Sequence, residues 1–299
     1  MVEKLSLGKF LQKYGTKDKC LEVLKHLRYP QGVFCQKCQK IKEFYKIESR
    51  QVYQCSCGYQ IAPLAGTILE KTTTPLQYWF YAIFIVSATR SGVSAKQLQR
   101  ELGVTYKTAW RMFKQIRMLM ADTGSGLLNG TVEVDETFIG GAGKNRRYEW
   151  KGNEKPKEVV MGMIQRGNLG KGGEKAYLKH IPNTGKWTLI KQIKDHVDPK
   201  ARVISDEWGG YTQISKYGYR HDVVRHKETY VDRDIYTQNV EGLWSILKRG
   251  IYGVYRIVSK KYLQAYVDEY AWRYNHRKNS LNMFDLLLQQ LVEVKYIQA

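Results

Sequence analysis

Two groups of residues in this sequence have types and spacings that could do chemistry. The first is Cys35-x-x-Cys38, sixteen residues, then Cys55-x-Cys57-Gly58. Paired thiols at this spacing predict a double knuckle in which four thiolates take Zn²⁺ tetrahedrally. The second pair is one residue shorter than the usual turn, which leaves Cys20 and His26, just upstream, as substitutes for Cys55 or Cys57. The plainer reading is that these are buried thiols. The second group is acidic. Asp135 lies mid-strand in "VEVDETFIGG" (132–141), where a carboxylate is expensive unless paired or bound to metal. Asp206 ends the apolar strand "ARVIS", and Glu241 flanks the helix "QNVEGLWSILKRG", whose Val240, Leu243, Trp244 and Leu247 form a buried stripe. Three such carboxylates describe a site for two divalent cations about 4 Å apart, one on the attacking and one on the leaving oxygen of a phosphodiester. Lys248, two helical turns beyond Glu241, shares nearly its side of the helix. Glu133, Glu136 and Glu207 are neighbouring acids with plainer readings, although Glu133 shares the Asp135 face of its strand.

The elements that must position these groups follow from periodicity and punctuation. A short helix over Asp18–Leu27 and small strands in "EFYKI" and "RQVYQC" surround the cysteines. A first segment this small cannot bury enough core to be stable alone, so metal would supply its folding energy. Residues from Pro75 to about Asp122 read as helical. After the Gly-rich link "DTGSGLLNG" come strands at Gly130–Ile139, Glu158–Gln165 and Ala176–Ile181, a helix at Lys186–Val197 and a strand at Ala201–Asp206. Helices then begin near Asn239, Ser259 and Ser280. That order predicts a mixed sheet covered by helices, within a multidomain α/β chain.

Charge points to the partner. The 49 Lys and Arg against 28 Asp and Glu leave a net charge of +21, which repels itself unless a polyanion accompanies it. Carboxylates can approach such a polyanion only with a cation between, which explains acid in a basic chain. No run approaches the ~18 apolar residues that span a bilayer, and the N-terminus has no signal-peptide core, which predicts an intracellular protein with reduced thiols and no membrane partner. In "GVSAKQLQRELGVTYKTAWRMFKQIRMLM", Ser94 caps a first helix with Gln97 three residues on, and Ala95, Leu98 and Leu102 share a face. Gly103 stops it, and Thr105 caps a second helix with Ala109, Trp110, Phe113, Ile116 and Met120 inward. Tyr106, Lys107, Thr108, Arg111 and Lys114 are then left outside, as on the reading helix of a helix-turn-helix. The plainer reading is a packed helix pair with a solvated basic face. "PLQYWFYAIFIVSATR" reads as its supporting core helix.

The cysteine pattern, "AGTIL", the helix pair, "VEVDETFIGG", "VISDEWGGY" and "TQNVEGLWSILKRGIYGVYRIVSKKYLQAYVDEYAWRYNHR" together resemble Merlin-type cut-and-paste DNA transposases and their bacterial insertion-sequence relatives, over nearly the whole chain. The resemblance implies a zinc-ribbon domain (1–70), a helix-turn-helix domain (71–122) and an RNase H-like DDE catalytic domain with C-terminal helices (123–299). It implies Asp135 and Asp206 as the two aspartates, Glu241 as the third acid with 34 residues between it and Asp206, and Lys248 as the lysine that accompanies that acid. Some relatives use Asn as the third member, which makes Asn239 the alternative. Two residues apart on a helix differ by about 200°, so Asn239 and Glu241 cannot both face one site. Asn239 also reads as a helix N-cap. Implied cofactors are Mg²⁺ (or Mn²⁺) and Zn²⁺. Implied partners are double-stranded DNA, both terminal inverted repeats and target, met by the second-helix residues and by Lys248 and Arg249, and further copies of the chain as a homodimer or larger. The location would be the cytoplasm or nucleoid of a bacterium, or a eukaryotic nucleus. Two rival classes are a sequence-specific DNA-binding regulator with a non-catalytic RNase H-like domain, and a DNA nuclease or resolvase on the same fold.

Overall fold

The structure, a computed structural model, describes residues 5–121, 126–140, 157–167, 172–225, 234–278 and 283–293. It divides into two compact units, Met1–Leu119 with Asn279–Ala299, and Met120–Lys278. No helix among the described residues is long and apolar enough to cross a membrane.

The first unit begins with α1 (Leu7–Tyr14) and α2 (Lys17–Arg28), capped by the side chains of Ser6 and Thr16. Five short strands follow: β1 (Val33–Cys35) pairs with β2 (Lys40–Lys42), and β3 (Tyr45–Lys46), β4 (Tyr53–Gln54) and β5 (Gln60–Ile61) form a three-stranded sheet. Then come α3 (Leu76–Ala88), α4 (Ala95–Leu102) and α5 (Tyr106–Leu119). α3 is apolar on most of its surface, with Leu76, Trp79, Phe80, Ala82, Ile83, Ile85 and Val86 buried, because helices surround it. One of them is the last helix of the unit, Met283–Glu293, whose Phe284 ring lies 5.2 Å from Tyr14 and within about 6.4 Å of Phe10, Phe80 and Phe84. Sequence order assigned that helix to the catalytic domain; its buried Met283, Phe284, Leu287, Leu288 and Leu291 pack within the first unit instead.

The second unit is built on a five-stranded sheet. β6 (Thr131–Ile139), β7 (Glu158–Arg166) and β8 (Gly173–Ile181) run antiparallel. α6 (Lys186–His196) then crosses to β9 (Arg202–Ser205), which lies parallel to β6, and β10 (Arg220–Val223) lies parallel to β9. The sheet order is β10-β9-β6-β7-β8, which puts β6 at the centre. α7 (Gln238–Arg249), a π-helical turn (Gly250–Tyr255) and α8 (Lys260–His276) follow, and the final helix of the first unit is α9. The alternation along β6 separates two cores. Val132 and Val134 face α6, with Met161, Met163, Leu189 and Ile193. Ile139 faces α7 and α8, with Val160, Ile164, Val240, Leu243, Trp244 and Val267. A strand buried on both faces leaves no solvent side for its acids, so each must find a partner.

Candidate functional site

In the first unit the four thiols close on one another. The ligand sulfurs of Cys35, Cys38, Cys55 and Cys57 all lie within 4.8 Å, with Cys35 to Cys57 at 3.4 Å and Cys38 to Cys55 at 3.9 Å. Tetrahedral thiolates at a Zn–S distance of ~2.3 Å stand about 3.8 Å apart, so the donor set fits Zn²⁺. The short second knuckle works because Gly58 adopts φ +85°, which lets its amide donate to the Cys55 carbonyl while Cys55 N–H takes the carbonyl of Tyr59. Cys20 and His26 are elsewhere: Cys20 is buried and donates to the Tyr14 carbonyl, with burial pushing its thiol up to about 12, and His26 is exposed beside Glu22.

The helix pair forms as its caps require. Ser94 accepts from the Gln97 amide, Gly103 takes φ +64°, and Thr105 accepts from the Thr108 amide. Ala109, Phe113, Ile116 and Met120 are buried, joined by Met112, while Trp110 is only half-buried. Tyr106, Lys107, Arg111 and Lys114 are exposed; Thr108 is half-buried and its hydroxyl serves the cap. Arg111 is partly held, because its guanidinium donates to Thr74.

In the second unit the acids of β6 meet different fates. Glu133, fully buried, accepts from Arg166 Nε at 2.7 Å. It also accepts from the backbone amides of Asn239 and Val240 at 2.9 and 3.2 Å and from Asn239 Nδ2 at 2.6 Å. A carboxylate on the first free amides of a helix satisfies them and complements the dipole. Glu133 therefore caps α7, and Arg166 neutralises it while donating to the carbonyls of Asp234 and Tyr236. This corrects the reading of Asn239 as an N-cap: it lies inside the first turn, after Thr237, and its side chain is committed to Glu133.

Two residues along the same face, Asp135 accepts from Trp244 Nε1 at 2.7 Å. Burial raises its carboxyl to about 6, with the charges of Asp206 and Glu241 adding to the rise and the Trp244 indole opposing it. The parallel register pairs Glu133 with Ile204, so Asp206, two residues past Ile204, comes level with Asp135 on the neighbouring strand. Asp206 holds one oxygen against the Trp208 amide, and Glu241 holds one against Thr237 Oγ1. Each of the three carboxylates thus has an oxygen pinned by a protein donor. Asp135 feels the charges of the other two, but the three do not gather as tightly as the thiols, the one such ligand cluster among the described residues. Lys248 is half-buried and Arg249 exposed at the end of α7.

Three participants were not singled out from sequence. Trp244 appeared only as a core residue, yet a buried indole N–H needs a partner and here finds Asp135. Gly162 stands opposite Asp135 on β7, and a Cβ there would come within 2.5 Å of the Trp244 ring. Glu136, on the other face, accepts from the Tyr211 hydroxyl, and burial with the charges of Asp135 and Asp206 pushes it up to about 7.

Residues 127–275 match the ISXO2-like transposase domain, and residues 15–60 match the transposase zinc-ribbon domain. An uncharacterized protein in the transposable element ISH50 of Halobacterium salinarum is 22% identical over 277 residues, covering 88% of this chain and 92% of that protein. A chain in the cryoEM structure of the simian T-cell lymphotropic virus intasome in complex with PP2A regulatory subunit B56 gamma is 12% identical, with 61% of this chain and 65% of that chain covered. Its TM-score is 0.31, too loose a likeness to argue from.

Proposed function

From a chain that carries an ISXO2-like DDE transposase domain and a transposase zinc ribbon, we propose a Merlin-like cut-and-paste transposase that cuts at the ends of its element and joins the freed 3′-OH to target DNA. The observation that carries this reading is the set of Asp135, Asp206 and Glu241, drawn from the central strand, its parallel neighbour and the helix above, with Asp135 raised by burial and by the charges of the other two. An all-oxygen donor set of three carboxylates fits hard cations such as Mg²⁺ or Mn²⁺. Bound there, two such ions would activate the attacking oxygen and stabilise the leaving one. Asp135, Asp206 and Glu241 would hold them.

The protein's own groups prepare that chemistry. Trp244 fixes the Asp135 carboxylate in one orientation, and Glu133 fixes the start of α7, from which Glu241 projects. Lys248 and Arg249 supply positive charge for backbone phosphates near the site. The sheet order and its parallel β6–β9 pair support an RNase H-like reading of the unit. Tyr106, Lys107, Thr108, Arg111 and Lys114 support a helix-turn-helix that reads the terminal repeats, and the four thiols support a structural Zn²⁺ beside it. Two DNA ends call for at least two copies of the chain.

The commitment of Asn239 to Glu133 favours Glu241 as the third acid. The test is cleavage and strand transfer on linear duplexes carrying the element's end, with Mg²⁺. Glu241→Gln should lose activity at least a hundredfold, about 2.7 kcal/mol of barrier, while end binding persists. An active Glu241→Gln beside a folded but dead Asn239→Ala would move the third ligand to Asn239. Cutting without joining by the wild type would favour a nuclease, and binding without cutting a regulator.

A further inference from the structure

The chain between α7 and α8 has two successive backbone departures. Gly250–Tyr255 forms a π-helical turn, a form common at functional sites. Directly after it, the Ile257 amide donates to the Tyr255 carbonyl at 2.8 Å, with Arg256 at φ +66° and ψ −58°. That is a three-residue turn of the strained hand, carried by a non-glycine residue. Strain persists only where its surroundings over-determine it. Three anchors do so here. Gly250 lies so close to Tyr270 that a Cβ would overlap its hydroxyl. Tyr252 OH accepts from the Gly140 amide at the end of β6. Tyr255 OH donates to the buried Glu269, itself paired with Arg273, and its ring meets Tyr266 edge-on.

This rigid mount presents Ile257, 88% exposed and the most exposed large apolar side chain among the described residues. Single exposed apolar residues are ordinary on surfaces. This one differs in its strained, triply anchored support and in its charged surroundings. Lys248 and Arg256 make no ion pair among the described residues, and Arg249 donates only to the Ser245 carbonyl. Counting from Asp135 to Gly140 along the strand at ~3.3 Å per residue, or from Glu241 to Tyr252 along the helix at ~1.5 Å, gives about 16 Å to the mount. That is close to five base-pair steps at ~3.4 Å.

We propose that Ile257 is an apolar wedge that enters a base step of duplex DNA near the cleaved end, with Lys248, Arg249 and Arg256 on the flanking phosphates. The inference rests on the DNA-cutting reading above. Apolar wedges unstack a step and kink the duplex, and flanking cations hold the bent backbone. Charge complementarity selects DNA as the occupant, since the chain carries a net +21.

The test uses the full-length, zinc-loaded protein without added Mg²⁺ and linear end duplexes. 2-Aminopurine is placed singly at each of the first ten positions, and a donor–acceptor dye pair reports bending. Wild type should brighten 2-aminopurine at one step and shorten the dye distance. Ile257→Ala should abolish both signals and weaken end binding about tenfold, and Ile257→Met should restore them. Because the side chain is exposed, both variants should match wild type in thermal melting. Unchanged unstacking and bending by Ile257→Ala would overturn the wedge alone. So would a change in its sedimentation without DNA, which would assign Ile257 to a contact between copies. A wild type that neither binds nor cuts end DNA would overturn the transposase reading as well.

Discussion

The thiol cluster and the carboxylate trio, the two sites proposed to hold cations, are assembled in opposite ways. The thiols close within 23 residues of chain, through two local turns, to mutual distances that already suit an ion. The carboxylates come from positions 135, 206 and 241, are brought together by sheet register and helix packing, and stay further apart. Thiols that hydrogen-bond to one another can touch before metal arrives, whereas carboxylates repel until a cation screens them. On the function proposed above, the first site would need its metal to fold, and the second would fold on its own core and take metal to act.

The largest expected effect breaks the comparison at the thiols. Cys38→Ser, or zinc extraction, should unfold residues 31–61, because a structural Zn²⁺ contributes about 10–16 kcal/mol. Limited proteolysis with zinc quantitation would show cleavage there while β6–β10, α7 and α8 stay resistant. Withholding Mg²⁺ should abolish cutting and leave both units folded. A ribbon that stays protected without zinc would refute the contrast.

A smaller effect sharpens it inside the second unit, where two acids of one strand face differ in role. Glu133→Ala would leave the buried Arg166 unpaired and the start of α7 uncapped, at a cost of about 3–5 kcal/mol in urea unfolding. Asp135→Asn should change stability by no more than about 1 kcal/mol, since it relieves repulsion, yet it should abolish cutting. If the two variants exchange these outcomes, Glu133 is the functional acid and Asp135 the structural one.

The smallest effect couples packing to the site. Gly162→Ala pushes into the Trp244 ring, which rests on the position opposite Asp135. Overpacking of this kind costs about 1–3 kcal/mol. Moving the ring also loosens the indole bond to Asp135, so the Mg²⁺ concentration for half-maximal cutting should rise. Trp244→Phe should raise it too, with less loss of stability. An unchanged Mg²⁺ dependence in both variants would reduce Trp244 to core.

Much of this was legible in one dimension. The alternation of "TVEVDETFI" and the run "RVIS" gave strands within a residue of their observed ends, and the stripe Val240, Leu243, Trp244 and Leu247 is buried as its spacing required. The caps at Ser94, Gly103 and Thr105 were readable because they act within three or four residues. What was not readable lay in partners distant along the chain. Glu133 and Asp135 look alike in sequence, and only the arrival of α7, over a hundred residues later, makes one a cap and the other a carboxylate that burial penalises. Asn239 looked like a cap for the same reason: its true partner is on another element. Met283–Glu293 was assigned by chain order, but an amphipathic helix follows the apolar surface that accepts it, here the aromatic rings of the first unit.

By itself the sequence determined the elements, the paired thiols, the acids and the positive charge, because periodicity, turn chemistry and net charge are local or additive. Tertiary structure alone decided which acid is neutralised, which indole orients Asp135, which glycine makes room for that indole and where the last helix packs. Those outcomes depend on which side chains share a buried space, and burial makes every polar partner count.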